Sequence, residues 1–161
     1  MEYIWVILPI ALLEIMNDIT SFDLIKLIGA ENWKEDEKEA MISKFTRALG
    51  RFLLSKFMAR LTPADKEEMA LLLAQNGTNE AAVVSFFNRK IPNIATVLEK
   101  ELKEFKTMFV TAVYQNKIEE LKVRLEQEKD SQIEAELEIW INILRLAQNN
   151  EWEQVVELLR F

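Results

Sequence analysis

Two glutamates three residues apart, Glu101 and Glu104, are the residues of this chain best placed for metal chemistry. Carboxylates at this spacing share one side of a helix, and all-helical nucleotide pyrophosphohydrolases use such pairs to hold magnesium. That site also needs a second pair in which Glu stands three residues before Asp, and no Asp in this sequence has Glu at that distance. We therefore predict that Glu101 and Glu104, with Lys100, Lys103 and Lys106 around them, form a solvated helix surface.

The sequence lacks the other common catalytic templates as well. It contains no His and no Cys, which removes the commonest general base, the commonest metal ligand and every thiolate. It also lacks a Gly-rich phosphate loop, a G-x-S-x-G elbow and a Walker motif. We predict a protein without enzymatic activity, with no catalytic residues, no metal and no cofactor.

A second group of chemically interesting residues is basic. Between Ala40 and Leu61 the chain has five basic residues and no acid, namely Lys44, Arg47, Arg51, Lys56 and Arg60. On a helix the first three lie together and the last two point elsewhere. Lys44, Arg47 and Arg51 could contact an anionic partner. The interpretation we favour from the sequence is that the whole set lies at the edges of a core helix and neutralises acids of neighbouring helices, such as Asp65 and Glu99.

Nucleic acid is not expected as the partner of these basic residues. The formal net charge is −7, which disfavours nonspecific binding to a polyanion. The basic set also lacks an aromatic platform on which bases could stack.

The elements that must position these residues are predicted to be helices, because the chain has only three Gly and three Pro. We predict an all-α fold, a multi-helix bundle of about seven or eight helices in which a long helix leads into a C-terminal helical hairpin. Residues 1–109 would form the bundle body. Residues 110–161 would form the hairpin and a short final helix, packed on the body or projecting from it.

The segment from Ala40 to Leu61 is predicted to be the central buried helix. Its apolar residues up to Phe52 cluster on one side and those from Leu54 onward on another, so the stripe changes direction near Gly50. Glycine costs about 1 kcal/mol relative to Ala inside a helix. Its position therefore predicts a kink or a close backbone approach.

Several helix ends are marked by local signals. Thr62 to Asp65 combines a capping hydroxyl, a proline at the first helical position and an acid at the third. Gly29 is expected to end a short helix in the left-handed conformation. Ser131 and Glu134 have the spacing of a capping box. A long helix is expected from Pro92, with a bend near Gln115 and Asn116, and its far end would project if it continues to Lys129.

The C-terminal helices carry candidate partner contacts. Ile139, Ile141, Ile143 and Leu146 lie outside the predicted seam of the hairpin, so an additional contact is expected there. We predict that this region docks on a protein partner or on a second copy of the chain. The candidate contact residues are Trp140, Ile141, Trp152, Val156 and Phe161.

The apolar run from Tyr3 to Leu13 is too short to span a bilayer, which needs about 20 residues. Glu2 stands where a signal peptide would carry a basic residue. We predict that the run docks into the protein core, with contact to a partner or a membrane surface as the alternative. The expected location is the cytoplasm.

Part of the sequence resembles a known family. The stretches LIGAENW, GRFLLSKFMARLTPADKEEMALLL and FFNRKIPNIATVLEKELKEFK follow one another between residues 24 and 109. In helix boundaries and apolar spacing this region resembles an uncharacterised small all-helical bacterial family, a domain of unknown function found mostly in candidate-phyla bacteria. The resemblance implies an all-helical fold and brings no activity or site residues with it.

These observations favour a non-enzymatic helical protein that acts in protein–protein interaction or as a scaffold. One alternative is a peripheral membrane or envelope component that is anchored by its apolar N-terminus. Another is an acidic helical regulator or inhibitor of a basic partner.

Overall fold

The computed structural model describes residues 24–76 and 79–160, and within them the chain forms seven α-helices and no strand. The predicted all-α multi-helix fold is confirmed. In chain order the helices are α1 (Leu24–Leu27), α2 (Glu35–Arg60), α3 (Pro63–Asn76), α4 (Glu80–Lys90), α5 (Ile94–Glu128), α6 (Ser131–Gln148) and α7 (Trp152–Leu158).

The chain divides into two compact units. The first contains residues 39–105, and the second contains residues 24–38 and 106–160, each taken over its described part. The first unit ends at residue 105, four residues before the predicted boundary at residue 109. Residues 24–38 belong to the same unit as the C-terminal helices. Whether residues 1–109 and 110–161 are separate folding domains stays a prediction.

The core of the first unit is aromatic and aliphatic. Phe57, Phe86 and Phe87 are at most 1% exposed, and the rings of Phe57 and Phe87 lie 5.3 Å apart in a tilted arrangement. Phe45 and Phe52 both contact the ring of Phe105, at centroid distances of 5.3 and 5.2 Å. These contacts place α2, α4 and the start of α5 around one apolar centre.

Four large buried residues form a line along helix α2 that continues into the residue after its end. Leu49, Leu53, Phe57 and Leu61 follow one another at intervals of four and are at most 6% exposed. Because four residues exceed one turn of 3.6, this line moves around the helix by about 40° at each step. The buried line therefore changes direction by about 120° between Leu49 and Leu61, and the predicted change is gradual and not located at Gly50. Gly50 is buried within an uninterrupted helix, and the apolar stripe drifts past it gradually.

The start of α3 is capped as the sequence predicts. Thr62 Oγ1 accepts a hydrogen bond from the backbone N–H of Asp65 at 3.2 Å, and Asp65 Oδ2 accepts one from the backbone N–H of Thr62 at 3.1 Å. The same carboxylate lies 2.7 Å from Lys90 Nζ on α4. The hydrogen bonds from Lys90 and Thr62 lower the pKa of Asp65 from 3.8 to about 2.

This shift predicts a pH dependence. Because the pKa of Asp65 is lower in the folded than in the unfolded chain, its charge stabilises the fold above about pH 4, and that contribution is lost as the pH falls to about 2. Asp65→Asn should therefore flatten the profile of melting temperature against pH between pH 4 and 2. Glu67→Gln, an exposed acid on the same helix, is the matched control and should leave the profile unchanged. Parallel profiles for Asp65→Asn and the parent protein would contradict the assigned role.

The second unit packs around Tyr114 on α5. Its side chain is fully buried, its hydroxyl donates to the carbonyl of Leu27, and burial raises its pKa. The ring of Trp140 on α6 lies 5.6 Å from that of Tyr114. Gly29 has a φ of 67°, as predicted, and a Cβ placed there would lie 3.3 Å from Leu159. These contacts bring α1, α5, α6 and Leu159, the residue after α7, into one core.

The buried face of helix α6 is wider than the seam that the sequence predicts. Ile143 and Leu146, which the sequence pattern placed outside the seam, are 0% and 4% exposed.

The predicted capping box of Ser131 and Glu134 is wrong, because Asp130 caps α6 and accepts a hydrogen bond from the N–H of Gln132 at 2.8 Å. Helix α5 runs without interruption through Gln115 and Asn116.

Candidate anion-binding face of helix α2

The carboxylate pair on α5 is engaged by basic side chains. Glu101 is only 3% exposed, which corrects its predicted place on a solvated surface. Its Oε1 atom lies 2.9 Å from Arg60 Nη2, and its Oε2 atom lies 3.2 Å from Lys56 Nζ, without the geometry of a directed hydrogen bond. Glu104 Oε1 lies 2.8 Å from the same Lys56 nitrogen. Both carboxylates therefore serve an ionic cluster between α2 and α5.

The charge on Glu101 is maintained despite its burial. Burial by itself would raise the pKa of Glu101, but Arg60 and Lys56 outweigh it, and the net shift is downward. The pKa of Lys56 is raised, chiefly by its hydrogen bond to Glu104. The described residues contain no group of three carboxylates that could hold a metal ion.

The other three basic residues of α2 have a different environment. Lys44, Arg47 and Arg51 are exposed, and at 100° per residue they lie about 120° to 180° around the helix from Leu53 in the core line. They line a groove of about 400 Å³ together with three small residues, Ala40, Ser43 and Ala48. These small residues were not predicted as part of a site. The sequence signal that could have identified them is their position beside the three cations on one face of the helix.

Within the described ranges, Lys44, Arg47 and Arg51 take part in no ion pair. No acid stands three or four residues from any of them in sequence. The basic set of α2 is thus divided. Lys56 and Arg60 neutralise Glu101 and Glu104, not the acids such as Asp65 and Glu99 that the sequence suggested, and the three groove cations meet no carboxylate in the described part of the chain.

The four predicted partner contacts that the structure describes at the C-terminus differ in exposure and do not form one open apolar patch. Trp140 is 9% exposed and packs in the core, while its neighbour Ile141 is 48% exposed. Trp152 is half-buried with Lys106 Nζ 4.6 Å from its ring centroid, and Val156 is also half-buried. Phe161 lies outside the described residues.

No family model, curated protein or solved structure matches the chain. The resemblance of residues 24–109 to a bacterial family therefore stays a prediction. The candidate anchor from Tyr3 to Leu13 also lies outside the described residues. None of the described helices is both long enough and apolar enough to cross a membrane.

Proposed function

We propose that this chain is a non-enzymatic interaction protein that binds a negatively charged partner through the groove face of α2. The observation that carries the proposal is the set of three exposed cations, Lys44, Arg47 and Arg51, that meet no carboxylate among the described residues. Like charges side by side on a helix are unfavourable by a few tenths of a kcal/mol for each pair, and an anionic partner would relieve that repulsion.

The chemistry of the groove favours binding over catalysis. Among its lining residues Ser43 carries the only hydroxyl, and these residues include neither a carboxylate nor an imidazole to accept its proton. Arginine side chains instead present planar donor groups that match carboxylate and phosphate oxygens. The remainder of the acidic protein would repel anions, so it would restrict their binding to this face.

Affinity capture from the source organism tests the proposal, with bound proteins and nucleic acids both identified. The groove variant, Lys44→Gln/Arg47→Gln/Arg51→Gln, removes the three cations of the groove. A matched control, Lys34→Gln/Lys66→Gln/Lys100→Gln, also removes three exposed positive charges but from other surfaces. We expect the parent and the control to capture one salt-sensitive partner. The groove variant should capture at least about tenfold less of it. Equal recovery on all three proteins would contradict the proposal.

The membrane and regulator alternatives make different predictions. A peripheral membrane component would float with liposomes only when Tyr3 to Leu13 is present. A regulator of a basic partner would capture that partner equally well with the groove variant, because the contact would be made by acidic residues.

A further inference from the structure

The residues that line the groove have the spacing of a helix–helix seam. Ala40, Lys44, Arg47 and Arg51 are separated by four, three and four residues, and Ser43 and Ala48 flank them. This alternation keeps side chains facing a second helix that lies alongside. The lined stretch covers about 16 Å of α2, or three turns. A straight helical partner would therefore meet every cation of the groove.

We propose that the occupant of the groove is an acidic α-helix of another protein, with three carboxylates on one face at intervals of four and three residues, which match the three cations. The inference rests on the proposed function and specifies its partner. Each carboxylate would accept hydrogen bonds from one of the three cations, and the arginines would bind in bidentate fashion. The small side chains of Ala40, Ser43 and Ala48 leave depth for the partner's own side chains between the charged contacts.

Carboxylates fit this face better than a nucleic acid does. The groove is lined by three small and three basic residues and has no aromatic ring on which a base could stack. The nearby rings of Phe45 and Phe52 are already packed against Phe105. The net charge of −7 would also repel a long polyanion, whereas a short acidic helix contacts only the basic face.

The acidic helices in the described part of this chain do not complement the groove, which points to a different protein. Three acids at intervals of four and three residues, in either order, occur on none of the described helices. Two of the near matches illustrate the interruption. Val123 stands between Glu119 and Glu126, and Ile141 follows Glu134 and Glu138 on α6.

Two synthetic peptides test the proposal by fluorescence anisotropy. Both are helical and of equal composition, but one carries three glutamates on a single face at four-three spacing, and the other distributes them around the helix. Labelled single-stranded DNA of matched charge is the third probe. We expect the one-faced peptide to bind at least about tenfold more tightly than the distributed peptide, at low salt.

The preference should disappear in Lys44→Gln/Arg47→Gln/Arg51→Gln and remain in Lys34→Gln/Lys66→Gln/Lys100→Gln. Equal affinity for both peptides would overturn the inference, because bulk charge alone would then explain binding. Tighter binding of DNA would replace the acidic helix with a nucleic acid. Self-association that is lost in the groove variant, seen by sedimentation, would replace the other protein with a second copy.

The two proposals can fail separately. If the groove variant loses its captured partner but the parent shows no preference between the peptides, the helical occupant is wrong and the proposed function stands. If capture is unaffected by the groove variant, the proposed function fails before the occupant is considered.

Discussion

Replacing Lys56 and Arg60 together by methionine is expected to destabilise the protein, whereas the same exchange at Arg47 and Arg51 is expected to leave the free energy of unfolding within about 0.5 kcal/mol. The first pair neutralises the buried carboxylate of Glu101, and the second pair is exposed and meets no acid among the described residues. Methionine keeps much of the aliphatic stem in both cases. The comparison therefore separates lost charge from lost packing.

The magnitude follows from the burial of Glu101. Arg60→Met alone removes its shortest contact, and leaving a buried polar group unsatisfied costs about 1–3 kcal/mol. The lower half of that range is expected, because the Arg60 side chain is 41% exposed and water can replace part of the interaction. The double exchange should cost more, since Glu101 then loses both basic partners.

Urea unfolding followed by far-ultraviolet circular dichroism measures these differences. Adding Glu101→Leu to the Lys56→Met/Arg60→Met variant should restore most of the lost stability, because an apolar side chain needs no charge partner in that position. If the double exchange were as silent as the one at Arg47 and Arg51, Glu101 would not depend on its two cations. The division of the basic residues into structural and binding groups would then be wrong.

Local signals account for most of the fold that could be predicted. The capping hydroxyl of Thr62, the proline after it and the left-handed Gly29 act over four residues or fewer, so the sequence alone determines them. The start of α6 was misplaced by one residue because Asp130 and Ser131 can both cap a helix. A choice between two adjacent capping residues depends on the backbone that precedes them.

The candidate site was only partly predictable, because its character depends on contacts between distant residues. The sequence separates Lys44, Arg47 and Arg51 from Lys56 and Arg60 by direction, and the structure keeps that separation. It could not show that Glu101, 41 residues after Arg60, would be buried against the second group. Glu101 has the sequence context of a solvated residue, with Lys100 and Lys103 beside it.

The drift of apolar stripes explains the remaining errors. In α2 a four-residue repeat carries the buried line past Gly50, so the direction of the buried face changes gradually along the helix and not at one residue. In α6 the buried set includes Ile143 and Leu146 as well as Trp140, which is wider than a strict coiled-coil seam. How wide a face becomes depends on how many helices surround it, and a single sequence does not show that number.

Trp140→Ala is expected to lower the free energy of unfolding by about 3–5 kcal/mol, whereas Ile141→Ala should change it by no more than about 0.5 kcal/mol. Trp140 is 9% exposed, its ring packs 5.6 Å from that of Tyr114, and Ile141 next to it is 48% exposed. Urea unfolding followed by circular dichroism of the backbone avoids the loss of tryptophan fluorescence in the first variant. Because adjacent residues on a helix differ by about 100° in direction, the pair is its own control for position along the chain. Equal stability of the two variants would move Trp140 out of the core and return it to the set of partner contacts. The expected difference instead leaves Ile141, at 48% exposure, as a C-terminal candidate that a partner could reach without unfolding the protein.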